Sequence, residues 1–247
     1  MTVKNAPKDA FPSVGDGIDV LEDLFVIPPS YFTRFARVAA AKHHAKEHWP
    51  ALPTPPVFSR VPAQLLGAIW ILFGQITSGR RKFQKPSSRD AAGVDGLMRL
   101  ELSKNDPQWG DLAALTLASA LYSPALREVV SVGGLTVLEL MFLDAKASSS
   151  PEPQGILLHH DRDGCAKRWV SMVLCLQPPV AGGATVFPDA GIAFSHVIPG
   201  AQITWFNRLS DGSINTLVEH QTTPIVGEVH KLVLVAFFSL QRTFHPL

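Results

Sequence analysis

The sequence predicts an α+β fold with a mainly β core. Amphipathic helical spacing dominates the chain before residue 133. From Gly134 onward the pattern changes to short apolar runs punctuated by turn glycines. At 247 residues the chain is long enough to bury a substantial core. A helical support region with the first strands, 1–133, and a β-rich region, 134–247, are expected to form one structural domain overall.

Ser30 is a plausible N-cap for a helix over 31–48, with Phe32, Phe35, Val38 and Ala39 on one side and Arg34, Arg37, Lys42 and Lys46 on the other. Pro50, Pro53, Pro55, Pro56 and Pro62 predict a stiff connector. A mostly buried helix is expected over 63–76, then a polar loop carrying Arg80, Arg81, Lys82 and Lys85. That cluster has the charge for a polyanion but reads better as a solvated loop. Residues 97–102 alternate as a strand, and Asp106-Pro107 is a good start for a helix running to about Tyr122. In the second region, strands are expected over 135–143, 170–176, 203–206 and 232–238, with turns at Gly182-Gly183 and Gly200. The loop 144–155 lacks apolar periodicity and is expected to act as a lid over whatever site lies beside it.

The formal net charge of +1 gives no global pull toward nucleic acid or an anionic membrane. Cys165 and Cys175 make neither a disulfide framework nor a zinc-type pair, so thiols are expected. The start of the chain is polar, and the longest apolar stretch, 65–73, is about half a bilayer span. A soluble protein of the cytoplasm or another intracellular compartment is the expectation, with no membrane and no nucleic-acid partner.

His159-His160-Asp161 and the distant His220 carry the chemistry. Two His and one carboxylate on one face of a metal make a mononuclear non-haem Fe(II) site, with the opposite face open. If His159 lies on a strand, the pleat puts Asp161 on its side and His160 on the other. A zinc hydrolase with the same ligands is disfavoured, because nothing nearby in sequence supplies a general base.

Around these residues the chain reads L-H-H-D at 158–161, G-G-A-T-V-F-P at 182–188, I-P-G-A at 198–201, W-F-N at 205–207, D-G at 211–212 and H-Q-T-T-P-I-V-G at 220–227. In order and spacing these segments resemble the prolyl 4-hydroxylase type of 2-oxoglutarate/Fe(II)-dependent dioxygenase. The resemblance covers roughly the last 115 residues; before them there is only a general similarity, in which 18–25 resembles the short strand that opens such enzymes. It implies a double-stranded β-helix (jelly-roll) in which the early helices brace the larger of two antiparallel sheets. It implies Fe(II) on His159, Asp161 and His220, with 2-oxoglutarate and O₂ as cosubstrates and ascorbate as reductant. It also implies hydroxylation of an unactivated C–H bond, with a prolyl residue of a peptide or protein favoured over a small molecule.

The family places a basic residue on the strand after the distal His to hold the far carboxylate of 2-oxoglutarate. Counting from His220 gives His230; anchoring on the following apolar strand gives Lys231. Lys231 is favoured, since a full positive charge suits a buried carboxylate better. Asn207 and Thr204 are further cosubstrate candidates, and Arg168 is a candidate substrate contact or a surface ion pair. The family's usual Tyr on the strand before H-x-D is replaced here in the stretch of Leu140 and Phe142. The shifted base and missing Tyr leave open a protein that kept the fold for binding or structure alone. Thr185 is expected to stabilise its turn, and His196 to be surface or core filler.

Overall fold

The computed structural model describes residues 55–79, 82–85, 94, 96–131, 134–147, 155–163, 165–228 and 230–240. The expected strand at 18–25, the helix at 31–48, Arg80, Arg81 and most of the expected lid lie outside the described residues. Lys82 and Lys85 are exposed.

Six antiparallel strands form the main sheet, in the order β1 (Val57–Arg60), β8 (Ala201–Phe206), β4 (Val170–Gln177), β11 (Lys231–Leu240), β3 (Leu135–Ala145), β2 (Leu97–Leu102). The long central strands read as nearly continuous apolar runs because both of their faces are covered. One face packs on helices. On it lie Leu140, Phe142, Met172, Leu174, Leu234, Ala236 and Phe238, in one cluster with Leu65, Ile69, Leu72 and Leu115. Helix α1 (Ala63–Ser78) supplies that contact through Leu65, Ala68, Ile69, Leu72, Phe73 and Ile76, a three-and-four spacing that makes one stripe. Phe73 meets the fully buried Phe142 edge-on at 4.8 Å, so truncating Phe142 costs about 3–5 kcal/mol.

The other face carries Met141, Val173, Ile203, Trp205, Val233, Val235 and Phe237, packed with Phe187 and Val218. Over it lies the second layer, which is broken into two small sheets. One has the order β7 (Ile192–Phe194), β6 (Thr185–Phe187), β9 (Gln221–Thr222); the other pairs β10 (Ile225–Val226) with β5 (Ala181–Gly182). This is the double-stranded β-helix, mostly β, with helices on one side of the larger sheet. No helix among the described residues is long and apolar enough to cross a membrane.

Three local expectations are corrected. The proline-rich connector contains β1, paired with β8 from Val57↔Thr204 to Arg60↔Ala201. Flanking prolines suit an edge strand, whose outer side needs no N–H donors. The helix expected from Asp106 is α2 (Trp109–Ala120), and a separate α3 (Pro124–Ser131) follows it. Asp106 instead closes the preceding turn, its carboxylate accepting from the Ser103 N–H at 2.5 Å. Finally, β3 runs on to Ala145, because its last residues pair with both β2 and β11.

Candidate metal centre

His159 is not part of a regular strand. It forms a single antiparallel bridge with His220, and Asp161 opens a 3₁₀ turn, Asp161–Asp163. The pleat argument therefore gives way to a bridge followed by a tight turn. The convergence it anticipated is present all the same: ligand atoms of His159, Asp161 and His220 lie within 4.8 Å of one another. Asp161 Oδ1 is 3.7 Å from His159 Nε2 and 3.9 Å from His220 Nε2. His160 projects elsewhere, its Nε2 donating to the Asn215 carbonyl at 3.2 Å.

The two imidazoles are set by their other nitrogens. His159 Nδ1 donates to the Leu157 carbonyl at 2.8 Å, and His220 Nδ1 to the Val218 carbonyl at 3.0 Å. Each bond fixes the tautomer that leaves an Nε2 lone pair facing Asp161. Phe187 and Trp205 enclose the His220 ring at 5.3 and 4.8 Å. Burial lowers the His220 pKa, keeping the imidazole neutral as a ligand requires. For Asp161, burial pushes the pKa up, but attraction to His220 and His159 in their protonated forms and the Ser171 hydroxyl outweigh it and hold the carboxyl well below its ordinary range. Two neutral imidazoles and one carboxylate with converging lone pairs fit a divalent iron with open positions.

Behind Asp161 runs a short polar chain. Ser171 Oγ donates to Asp161 Oδ2 at 2.5 Å, and Asn207 Nδ2 donates to Ser171 Oγ at 2.9 Å. Asn207 thus faces the back of the carboxylate, with its Oδ1 buried and without a hydrogen-bond partner among the described residues. Ser171 was missed in the sequence; its signal was a lone hydroxyl in the apolar run of β4, since a buried polar group needs a partner. Arg168 is held by Glu139, with Nε to Oε1 at 2.9 Å and Nη2 to Oε2 at 2.5 Å. Its Nη1 donates to the Asp161 carbonyl at 3.0 Å, and the guanidinium lies 4.0 Å from the Phe237 ring centre. It is a half-buried ion pair that also clamps the Asp161 turn.

Lys231 begins β11 in phase with Val233, Val235 and Phe237, so it shares the iron-side face. The side chain is buried, and its Nζ donates to the Gly183 carbonyl at 2.6 Å. Burial lowers its pKa to about 8. His230 points outward against Asp144, with Nδ1 to Oδ1 at 3.1 Å. Near Lys231, the buried His196 shares a 3.0 Å hydrogen bond with Thr185, and burial keeps its pKa well below the ordinary value.

Thr204 is corrected: it faces the helices, with its Oγ1 2.8 Å from Ser123 Oγ and 3.4 Å from the Val57 carbonyl. Strand alternation is the reason, since Ile203 and Trp205 occupy the iron-side face. Leu140 and Phe142 are likewise on the helix side. Met141 and Leu143 pack on the site face beside them, and neither carries a hydroxyl.

No protein-family model matches the chain. No curated protein matches it in sequence. Solved structures do match its fold. A Pseudomonas putida prolyl-4-hydroxylase is similar with a TM-score of 0.50 and 19% identity, over 84% of this chain and 99% of that one. A truncated viral collagen prolyl hydroxylase from Paramecium Bursaria Chlorella virus-1 has a TM-score of 0.51 and 12% identity, over 82% and 100%. The epimerase SnoN, solved with Fe3+, alpha ketoglutarate and nogalamycin RO, has a TM-score of 0.51 and 14% identity, over 85% and 84%. The chain has the fold of the 2-oxoglutarate/Fe(II) oxygenases, the prolyl 4-hydroxylases among them.

Proposed function

We propose that the protein is an Fe(II)- and 2-oxoglutarate-dependent dioxygenase that hydroxylates an unactivated C–H bond, with a prolyl residue of a peptide or protein as substrate. The observation that carries this reading is the preset convergence of His159 Nε2, His220 Nε2 and the Asp161 carboxylate on the face that also bears the buried Lys231. When bound, the iron and 2-oxoglutarate supply O₂ activation, with succinate and CO₂ released and one oxygen atom passed to substrate. Lys231 keeps two N–H donors without a protein partner among the described residues, the complement of a carboxylate at the far end of the cosubstrate. Ser171 and Arg168 hold Asp161 from its carboxylate and carbonyl sides. Met141, Val235, Phe237, Trp205 and Phe187 wall the site with apolar surface that excludes water.

The peptide reading is supported by the motif order shared with prolyl 4-hydroxylases. A small-molecule substrate is the second reading, supported by the shared fold of an epimerase whose structure holds nogalamycin RO. The test is incubation with Fe(II), ascorbate and 2-oxoglutarate, in the presence of candidate prolyl peptides and of cell lysate. Succinate release and a mass gain of one oxygen are expected. No 2-oxoglutarate turnover with metal bound would leave a binding protein of the same fold.

A further inference from the structure

The centre of three ligands is built from two segments that are far apart in the chain, 157–161 and 215–220. Their backbones pair at the His159–His220 bridge, and on the side away from Asp161 the Thr222 N–H donates to the Ile156 carbonyl at 3.0 Å. These contacts hold the stretch before His159 and after His220 but do little to fix the rotation of the two 3₁₀ turns on the other side of the bridge, Asp161–Asp163 and Thr216–Val218. His160 supplies an attachment on that side. Its ring is buried, with Nδ1 accepting from the Arg162 N–H at 3.2 Å and Nε2 facing the Asn215 carbonyl at 3.2 Å. Since Nδ1 accepts, the ring proton sits on Nε2 and is donated to Asn215. One ring therefore pins the start of the 3₁₀ turn that carries Asp161 and ties it to the other segment.

Asn215 is itself fixed. It is buried, its Nδ2 donates to the Phe206 carbonyl at 2.9 Å, and its own N–H donates to the Asn207 carbonyl at 3.1 Å. Its Oδ1 caps the 3₁₀ turn Thr216–Val218 by accepting from the Leu217 N–H at 3.3 Å. Val218 ends that turn and provides the carbonyl that orients His220. The path from β8 through Asn215 thus reaches His220 by one branch and His160, next to both other ligands, by the other.

We propose that His160 and Asn215 form a strut that positions the two ligand segments, making His160 a positioning residue rather than a bystander between two ligands. The proposal rests on the reading of His159, Asp161 and His220 as a metal site. The strut sets how well the three ligand atoms are arranged before metal arrives, so its loss appears in metal affinity and coordination geometry.

The test uses cobalt(II) added to the whole apoprotein, followed by its visible d–d absorption. His160→Phe keeps a buried planar ring but removes both polar atoms; His160→Gln restores a donor toward the Asn215 carbonyl. Cobalt affinity is expected to fall about tenfold to a hundredfold in His160→Phe, the usual range for groups that orient metal ligands. Its d–d band should shift, while His160→Gln stays close to the parent protein. Asn215→Ala should fall in the same direction, and the double variant less than additively. If His160→Phe does not fold, His160→Gln must keep cobalt affinity and Asn215→Ala must lose it; any other pattern overturns the strut. Parent-like affinity and spectrum in a folded His160→Phe protein also overturn it, leaving the metal site intact. Failure of the unsubstituted protein to bind cobalt would overturn the metal reading as well.

Discussion

His159 and His220 exchange both backbone hydrogen bonds, N–H to carbonyl at 2.9 Å in each direction, and their rings stand 4.4 Å apart. The contact is made by main chain, so it survives changes in either side chain. His159→Ala, Asp161→Ala and His220→Ala should therefore each abolish Fe(II)-dependent turnover while leaving the fold, read by circular dichroism, in place. Retained turnover in a folded His159→Ala protein would remove that residue from the ligand set.

Lys231→Ala should weaken 2-oxoglutarate binding by about 2–5 kcal/mol, the cost of removing one partner of a buried charge pair. His230→Ala should change it little, because that imidazole faces Asp144. Calorimetry with manganese(II) in place of iron gives both affinities. A large loss confined to His230→Ala would transfer the anchor to that residue.

The same lysine gives a pH dependence whose sign is set by burial. Its pKa in the free protein is lowered to about 8. A carboxylate binds the charged form, so above that pH binding must take up a proton. Affinity for 2-oxoglutarate should be flat below about pH 8 and decline as pH rises above it. In Lys231→Arg the decline should vanish, since a guanidinium stays charged throughout. An affinity that rises between pH 8 and 9 would contradict the assignment.

Arg168→Lys loses the two-point contact with Glu139 and the hold on the Asp161 carbonyl. The expected loss is about 1–3 kcal/mol in unfolding free energy, the scale of hydrogen bonds to charged groups, measured by urea denaturation. Metal affinity should fall with it, since the Asp161 turn is freed. Unchanged urea midpoint and metal affinity would reduce Arg168 to a surface role.

Gly155 enters the ligand segment under close contact: a Cβ there would stand 1.7 Å from the Thr222 carbonyl oxygen. That backbone cannot retreat cheaply, because Thr222 N–H donates to the Ile156 carbonyl and β9 pairs with β6. Gly155→Ala should destabilise by about 1–3 kcal/mol, as overpacking does, and lower metal affinity through the displaced His220. A parent-like melting temperature would show that the segment yields.

Much was legible in the sequence because it is local or ordered along the chain. Strand runs such as 97–102 and the core of β4 and β11 announce themselves by apolar patterning, and the motif order pointed to the fold. The residues H-x-D and the distant His were readable for the same reason. Reading stopped where a residue's role depends on which face it meets. Thr204 and Trp205 are neighbours, yet strand alternation sends one to the helices and the other to the site; so too Leu140 and Met141. No local pattern announced that Ser171, Asn207 and Asp161 would line up, or that Arg168 would find Glu139.

The sequence by itself determined the chemical inventory, two imidazoles, a carboxylate and a buried cation candidate, and the alternation that builds the sheets. The tertiary structure alone decided how these were combined. It turned an expected strand at His159 into a bridge and a tight turn, put Lys231 inside and His230 outside, and recruited His160 to Asn215. The physical reason is that hydrogen bonds between distant segments, and the burial that makes them obligatory, exist only once the chain has closed on itself.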